Sequence, residues 1–168
     1  MSAPRPSWLP DMVNVDFSRG PDLIYCHAVR DMLYRIFEDD FINGAPKFHG
    51  CPVWWDQREG DNGYPDGFWH IITKSDKETG PRKFEPERAS KLPWCAPLIG
   101  NSADAAVMVW NYKEGRGNIR TYIWLRAWDY CVVLEKKEMR RGPVAFLVTA
   151  YSAENSSWTL QRKYNNRI

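Results

Sequence analysis

The chain contains 168 residues, of which 43% are hydrophobic and 26% are charged, a composition typical of one soluble domain. Its 9 Trp, 8 Tyr and 7 Phe exclude a chain that is disordered throughout, because a solvated coil contains few aromatic residues. The net charge of +2, from 23 Lys and Arg against 21 Asp and Glu, excludes a uniformly basic nucleic-acid clamp but permits a local basic patch.

The sequence contains neither a membrane-spanning run nor a metal-binding motif. No apolar stretch approaches the roughly 20 residues of a transmembrane helix, and the first residues lack the apolar core of a signal peptide. We therefore expect a soluble, cytoplasmic protein with no membrane partner. The four cysteines are scattered singly, without a Cys-x-x-Cys pair: Cys26, Cys51, Cys95 and Cys131. This spacing predicts reduced, buried side chains, and neither a metal nor a cofactor is predicted.

Two regions are predicted along the chain, an irregular N-terminal arm over residues 1–19 and a single α+β domain over residues 20–168. The arm is rich in Pro and has isolated apolar residues that predict docking through a few side chains. A helix is predicted from near Pro21, because apolar residues recur every three or four positions from Cys26 to Ile36. Asn43-Gly44 followed by Pro46 is expected to end it.

The middle of the chain alternates short apolar runs with loops. Pro52–Trp55 and Phe68–Lys74 are predicted strands, and the Gly- and Asp-rich residues 59–67 between them are predicted to form a loop. A second helical region is predicted from Glu85 to Ile99, broken into two pieces by its internal prolines.

After Gly100 the pattern changes to that of β-structure. Four runs of β-branched and aromatic residues are separated by short polar gaps: Val107–Tyr112, Ile119–Arg126, Tyr130–Glu135 and Val144–Tyr151. Short connections of this kind favour an antiparallel meander. The C-terminal residues 154–168 are compatible with a short helix or an extended segment. The fold predicted is α+β, with N-terminal helices packed on a four-stranded or slightly larger antiparallel sheet.

Phe68–Lys74 contains the most informative candidate for catalysis. As a strand it would place His70 and Lys74 on one face, so that an imidazole able to exchange protons near neutral pH lies near a cation. We expect both side chains to open into one cleft together with Arg120. The alternative is that His70 is a hydrogen-bonded structural residue.

Two of the predicted strands of the C-terminal half supply further candidates. Thr149 and Tyr151 are two residues apart and would share a face opposite Phe146, where hydroxyl groups are able to bind a phosphate oxygen. Alternatively they are ordinary strand residues. Arg120 lies among aromatic residues and is a candidate phosphate ligand or a surface cation–π partner.

Several sequence motifs together resemble those of a known group of enzymes. These are Phe-Trp-His-Ile-Ile-Thr-Lys, Pro-Glu-Arg-Ala-Ser-Lys-Leu-Pro-Trp and the final Phe-Leu-Val-Thr-Ala-Tyr, which follow an N-terminal helix. In this order the chain resembles the phage- and mobile-element-associated nucleases of the barnase–EndoU–colicin E5/D–RelE superfold, over about residues 20–165. The resemblance implies a metal-independent endoribonuclease in which a ribose 2′-hydroxyl attacks the adjacent phosphate.

The resemblance also implies roles for individual residues. His70 would be the general base or acid, Lys74 would neutralise phosphate charge, and Arg120 would hold the phosphate, while Thr149 and Tyr151 would orient it or supply a proton. Further basic residues are candidates for RNA binding: Arg82, Lys83, Arg88, Arg116, Arg162 and Lys163.

The implied biology is that of a toxin or a phage or defence effector, with RNA as substrate and a protein inhibitor or antitoxin as a possible partner. A second catalytic histidine of the EndoU kind has no counterpart, because His49 lies outside the matching motifs. The alternatives are a non-catalytic RNA-binding or protein-interaction module on the same fold, and a structural phage or mobile-element protein.

Overall fold

The computed structural model describes residues 3–14, 27–75 and 82–168. Five α-helices lie within these residues: α1 His27–Phe37, α2 Asp66–Ile72, α3 Pro86–Ser90, α4 Cys95–Gly100 and α5 Ser157–Asn165. The strands in the same part of the chain are β1 Lys47–Phe48, β2 Cys51–Trp54, β3 Thr73–Ser75, β4 Arg82–Phe84, β5 Met108–Lys113, β6 Ile119–Leu125, β7 Tyr130–Met139 and β8 Gly142–Ser152. The α+β class is therefore as predicted.

The main sheet contains six strands in the order β1-β2-β8-β7-β6-β5. Strands β5 to β8 form an antiparallel meander, as their short connections predict. Strand β2, however, pairs in parallel with β8 at Val53↔Ala145 and Trp54↔Phe146. The sheet is therefore mixed, and the prediction of a four-stranded or slightly larger sheet that is wholly antiparallel is wrong. A parallel pair joins residues far apart in the chain and leaves no local pattern.

Helix α1 follows the amphipathic pattern in its described part, because Leu33 and Phe37 are fully buried. Its predicted start near Pro21, and Cys26, lie outside the described residues. After Phe37 the helix continues as a π-helical segment, Glu38–Asn43. It stops at Gly44, where a Cβ atom would lie only 2.4 Å from the carbonyl oxygen of Asp40.

Helix α2 replaces most of the strand predicted over Phe68–Lys74, and only Thr73–Ser75 is extended. The buried residues of this helix follow helical spacing: Phe68, Trp69, Ile71 and Ile72. The prediction of a strand arose because β-branched residues such as Ile71 and Ile72 are common in strands. Gly67 makes this packing possible, because a Cβ atom there would lie 2.7 Å from the Trp55 Cβ. His70 and Lys74 consequently lie on different elements.

Helices α3 and α4 arise from the second predicted helical region. Pro93 lies in a 3₁₀ turn, Leu92–Trp94, between them, as the internal prolines predict. The described part of the N-terminal arm, residues 3–14, contains no helix or strand. Leu9 is buried, and the Trp94 indole donates a hydrogen bond to the Pro10 carbonyl at 2.8 Å.

The main sheet separates two hydrophobic cores. Its inner face packs against helices α1 to α4 and includes Ile123, Val132 and Leu147. Its outer face packs against α5 and includes Tyr122, Trp124 and Val133. This arrangement explains why Tyr122 and Trp124 are buried although they alternate with the inner-face residues along β6.

Candidate functional site

A β-bulge in strand β8 determines which side chains reach the candidate site. The pairing of β7 with β8 shifts between Val133↔Thr149 and Leu134↔Leu147, which leaves Val148 as the extra residue. Glu135 pairs with Phe146, and Val133 and Glu135 share a face because they are two residues apart. Phe146 and Thr149 therefore lie on the same, outer face, whereas simple alternation had predicted opposite faces.

A pocket of about 300 Å³ opens where β8 extends beyond its pairing with β2. It is lined by the following residues from five elements: His70, Ser75, Arg82, Arg88, Val148 and Thr149. Helices α2 and α3 both contact β8 here and cover its edge. The pocket brings together four residues singled out by the sequence, His70, Arg82, Arg88 and Thr149, and its lining contains no carboxylate.

Two arginines bind the carboxyl end of helix α2. Arg88 donates hydrogen bonds from Nη1 to the carbonyls of His70 at 3.1 Å and Thr73 at 2.8 Å. Arg82 donates from Nη2 to the Thr73 carbonyl at 3.0 Å and from Nε to the Thr73 hydroxyl at 2.7 Å. These cations satisfy carbonyls that a helix end leaves without partners and compensate the negative end of its dipole.

Thr149 connects strand β8 to the same group of atoms. Its hydroxyl accepts a hydrogen bond from Arg88 Nη1 at 3.3 Å and donates to the His70 carbonyl at 3.4 Å. The backbone of His70 is therefore held from two directions. Within the described residues the imidazole nitrogens of His70 have no hydrogen-bond partner, so the ring remains able to exchange a proton.

The environment of His70 favours the neutral imidazole. Burial lowers the pKa of His70 below its ordinary value of 6.5, and the nearby Arg82 charge lowers it further, while Asp56 and Asp66 oppose this effect. At neutral pH the ring is therefore a base with a free lone pair rather than a cation.

The two arginines are themselves in an environment that disfavours their charges. Burial lowers the pKa of Arg88, and the charge of Arg82 lowers it further. The pKa of Arg82 is also lowered by burial. Two like charges converge on one pocket, so an anion placed between them would be stabilised by both.

Tyr151 supports the pocket but does not line it. The Arg88 guanidinium lies 5.7 Å from the centre of its ring, a cation–π contact. Burial raises the pKa of Tyr151, which makes its hydroxyl a poor proton donor near neutral pH. We therefore assign Tyr151 a packing role beneath Arg88.

Lys74 and Lys83 point away from the pocket. In the β3–β4 pair Ser75 faces Arg82, and Lys74 faces Lys83 on the opposite side. The expectation that Lys74 shares a cleft with His70 is therefore wrong, because it depended on one continuous strand. Lys83 likewise does not line the pocket.

Arg120 and Arg116 lie in another part of the molecule. Arg120 is on β6, two strands away from β8, and its Nε lies 3.6 Å from a carboxylate oxygen of Glu135. Arg116 is exposed in the β5–β6 hairpin. The expected meeting of Arg120 with His70 is thus contradicted. Arg162 lies against Trp158, and Lys163, also on α5, binds Glu114.

Sequence reasoning missed Ser75 and Val148, which complete the pocket lining. Ser75 shares its face with Arg82 through the β3–β4 register, and Val148 is brought there by the bulge. Neither the short hairpin nor the bulge has a motif in the sequence. Asp56 and Asp66 also act on His70 electrostatically; Asp66 lies in the segment predicted to be a loop, residues 59–67, and is the first residue of α2.

Across residues 3–14, 27–75 and 82–168, no three His, Cys, Asp or Glu side chains are placed to hold a metal ion. No helix in this part of the chain has the length and apolar character needed to cross a membrane. Comparisons with protein-family models, with curated proteins and with solved structures find no match to this chain. The chemistry of the His70 pocket is therefore the basis for assigning a function.

Proposed function

We propose that the protein is a metal-independent endoribonuclease whose active site is the His70 pocket. The observation that carries this proposal is a neutral imidazole beside two guanidinium groups and a hydroxyl, in a pocket whose lining lacks carboxylates. Phosphodiester transfer within RNA needs a base and positive charge around the phosphorane, and these groups supply both.

The proposed step begins when His70 removes the proton from a ribose 2′-hydroxyl. The 2′-oxygen then forms a bond to phosphorus and the bond from phosphorus to the 5′-oxygen breaks. The leaving oxygen takes up a proton from solvent water, and the protonated His70 returns its proton to solvent. Arg82 and Arg88 stabilise the charge that develops on the phosphoryl oxygens, and Thr149 orients them. The products are a 2′,3′-cyclic phosphate and a free 5′-hydroxyl.

The cellular role that we propose is that of a toxin or a phage or defence effector restrained by a protein inhibitor. It rests on the sequence resemblance described above. An active enzyme should arrest growth when it is overexpressed, and His70→Ala should relieve the arrest.

The test of the activity is incubation of the purified protein with total RNA in excess EDTA. We expect fragments ending in a 2′,3′-cyclic phosphate, and His70→Ala should lower the rate on the order of 100-fold or more. His27→Ala is the matched control, because His27 is an exposed histidine on α1. Loss of cleavage in EDTA, or full activity in His70→Ala, would contradict the proposal.

One observation favours a second function, a non-catalytic RNA-binding module. Arg82 and Arg88 already bind carbonyl groups of α2, so the pair also has a structural task. A binding module would retain RNA affinity but leave total RNA intact in the experiment above.

A further inference from the structure

The outer face of the main sheet remains open beside the His70 pocket. Trp54 on β2 pairs with Phe146 on β8, so these two aromatic side chains lie next to each other on this face. Trp54 is 38% exposed. The Lys137 ammonium lies 4.0 Å from the centre of the Phe146 ring. Phe146 is half-buried, so both aromatic rings present part of their surface to solvent beside a cation.

Positive charge extends from this pair to the tip of the β7–β8 hairpin. Residues 136–141 read Lys-Lys-Glu-Met-Arg-Arg, and all six are exposed. An open groove of about 1100 Å³ separates the hairpin from β2, and Trp54, Met139, Arg140 and Arg141 contribute to its lining. This concentration of cations contrasts with the whole-chain net charge of only +2.

The open face leads directly into the His70 pocket. Phe146, Val148 and Thr149 follow one another along β8, and the last two line that pocket. At a rise of about 3.3 Å per residue, Phe146 lies within roughly 10 Å of Thr149. Glu135, which shares this face, is paired with Arg120 at 3.6 Å and accepts a hydrogen bond from Asn118 at 3.3 Å.

We infer that this outer-face strip, defined as Trp54, Phe146, Lys137, Arg140 and Arg141, binds single-stranded nucleic acid and delivers it to the pocket. Bases stack on the two aromatic rings while the three cations bind the phosphates. The substrate is consequently single-stranded, because paired bases do not expose their faces for stacking. The inference rests on the proposed function and adds to it the structural class of the substrate.

The test measures binding separately from cleavage. A fluorescent single-stranded DNA oligonucleotide lacks the 2′-hydroxyl and is not cut by the proposed reaction, so its anisotropy reports affinity alone. We expect Trp54→Ala and Phe146→Leu each to weaken binding about ten-fold. Arg140→Gln with Arg141→Gln should reduce the slope of log affinity against log salt by about 1.4. A duplex of the same sequence should bind more weakly and be insensitive to Trp54→Ala.

Matched controls lie away from the strip. Trp158→Ala removes a more exposed tryptophan from α5, and Arg35→Gln removes an exposed cation from α1. Both should bind the single strand as the unmodified protein does. Because Trp54 is exposed, its variant is expected to fold, and thermal unfolding checks this for each protein.

The outcomes separate this inference from the proposed function. Single-strand binding that depends on Trp54, in a protein that leaves RNA intact, would support the strip and contradict the nuclease. Cleavage of RNA together with unchanged affinity in Trp54→Ala and Phe146→Leu would contradict the strip and support the nuclease. Equal losses in Trp158→Ala, or a preference for an acidic peptide over the oligonucleotide, would overturn the inference.

Discussion

His70 occupies a position where a histidine is normally expected to carry a charge. The carboxyl end of a helix stabilises a cation, and His70 lies in the last turn of α2. In this protein Arg82 and Arg88 already bind the carbonyls at that end, and the positive charge of Arg82 acts against protonation of the ring. The arrangement therefore keeps the imidazole neutral and available as a base.

We expect the acidic limb of the cleavage rate to lie below pH 6.5, because protonation of His70 removes the base and its pKa is lowered from that value. Arg82→Gln should shift this limb toward higher pH, since it removes a charge that opposes protonation. NMR titration of the histidine ring gives the same pKa without any activity.

Lys74→Gln is the control for the titration. Lys74 is an exposed cation four residues from His70, and it points away from the pocket. Its substitution should leave the pKa of His70 almost unchanged. An equal shift in Lys74→Gln and Arg82→Gln, or a pKa above 6.5 in the unmodified protein, would contradict this account of the site.

Several of the residues singled out by the sequence line one pocket, but the geometry predicted for them was wrong. His70 was singled out as the titratable group, and Arg82, Arg88 and Thr149 were also candidates. Lys74 was placed with His70 by counting along a strand that is in fact a helix. Only the tertiary packing of α2 on β8 distinguishes the two arrangements, because Ile71-Ile72-Thr73 favours a strand by local propensity.

At the scale of elements, the unit formed by α2, β3, β4 and α3 depends on Arg88. Its guanidinium bridges two carbonyls of the α2 end, the Thr149 hydroxyl and the Tyr151 ring. A short helix of this kind has little stability of its own and relies on such contacts.

Arg88→Gln should lower the free energy of unfolding by about 2 kcal/mol, because hydrogen bonds from a charged donor to buried carbonyls are lost. Urea denaturation measures this change. Arg116→Gln, at an exposed hairpin position, should change stability by less than about 0.5 kcal/mol. Equal stability of the two variants would show that Arg88 does not hold α2 in place.

The π-helical segment after α1 should produce a pH-dependent stability. Burial raises the pKa of Asp40 from 3.8 to about 6, and the neighbouring Asp39 contributes in the same direction. Between these two values the folded protein binds more protons than the unfolded chain, so stability falls as the pH rises from about 4 to about 6.

Asp40→Asn should remove this dependence and raise stability at pH 7 by on the order of 1 kcal/mol, after allowing for solvent screening. Thermal unfolding between pH 4 and pH 8 provides the measurement. Asp39→Asn, an exposed neighbour, should have a much smaller effect. If Asp40→Asn were less stable than the unmodified protein at pH 7, burial would not be destabilising the charged carboxylate at this position.

The elements of the C-terminal half were the most accessible to sequence analysis. Strands β5 to β8 have alternating patterns and short turns, and both are local signals. The parallel pairing of β2 with β8 joins Val53 to Ala145. The sequence of neither strand contains a feature that identifies the other as its partner. The pocket lies where this pairing ends, so its location was not predictable from local patterns.

At the scale of the whole molecule, the inner face of the sheet is covered by one core, and a second core covers the outer face over β5, β6 and β7. The outer core is completed by α5, which packs Leu160 against Trp110 and Trp124. Lys163 of α5 donates hydrogen bonds to both carboxylate oxygens of Glu114, at 2.8 and 3.0 Å, and to the Tyr122 hydroxyl at 2.5 Å. Tyr122 in turn donates to Glu114. This cluster attaches the C-terminal helix to the β5–β6 hairpin.

We expect Lys163→Met to destabilise the protein by about 2 kcal/mol, because it leaves the largely buried Glu114 carboxylate with only the Tyr122 hydroxyl as partner. Adding Glu114→Gln should restore most of the lost stability, because a neutral side chain has a smaller desolvation penalty than a carboxylate in this environment. Lys113→Gln, an exposed lysine beside Glu114, is the control, and urea denaturation gives all four values.

The same cluster predicts the acid sensitivity of these variants. Burial acts to raise the pKa of Glu114, but the hydrogen bonds from Lys163 and Tyr122 outweigh it, so the pKa lies below the ordinary 4.5. Its contribution to stability is therefore complete above about pH 4.5 and is lost as the pH falls through the folded-state pKa. Lys163→Met should lose less stability than the unmodified protein on acidification. An undiminished loss in that variant would show that other carboxylates dominate acid unfolding.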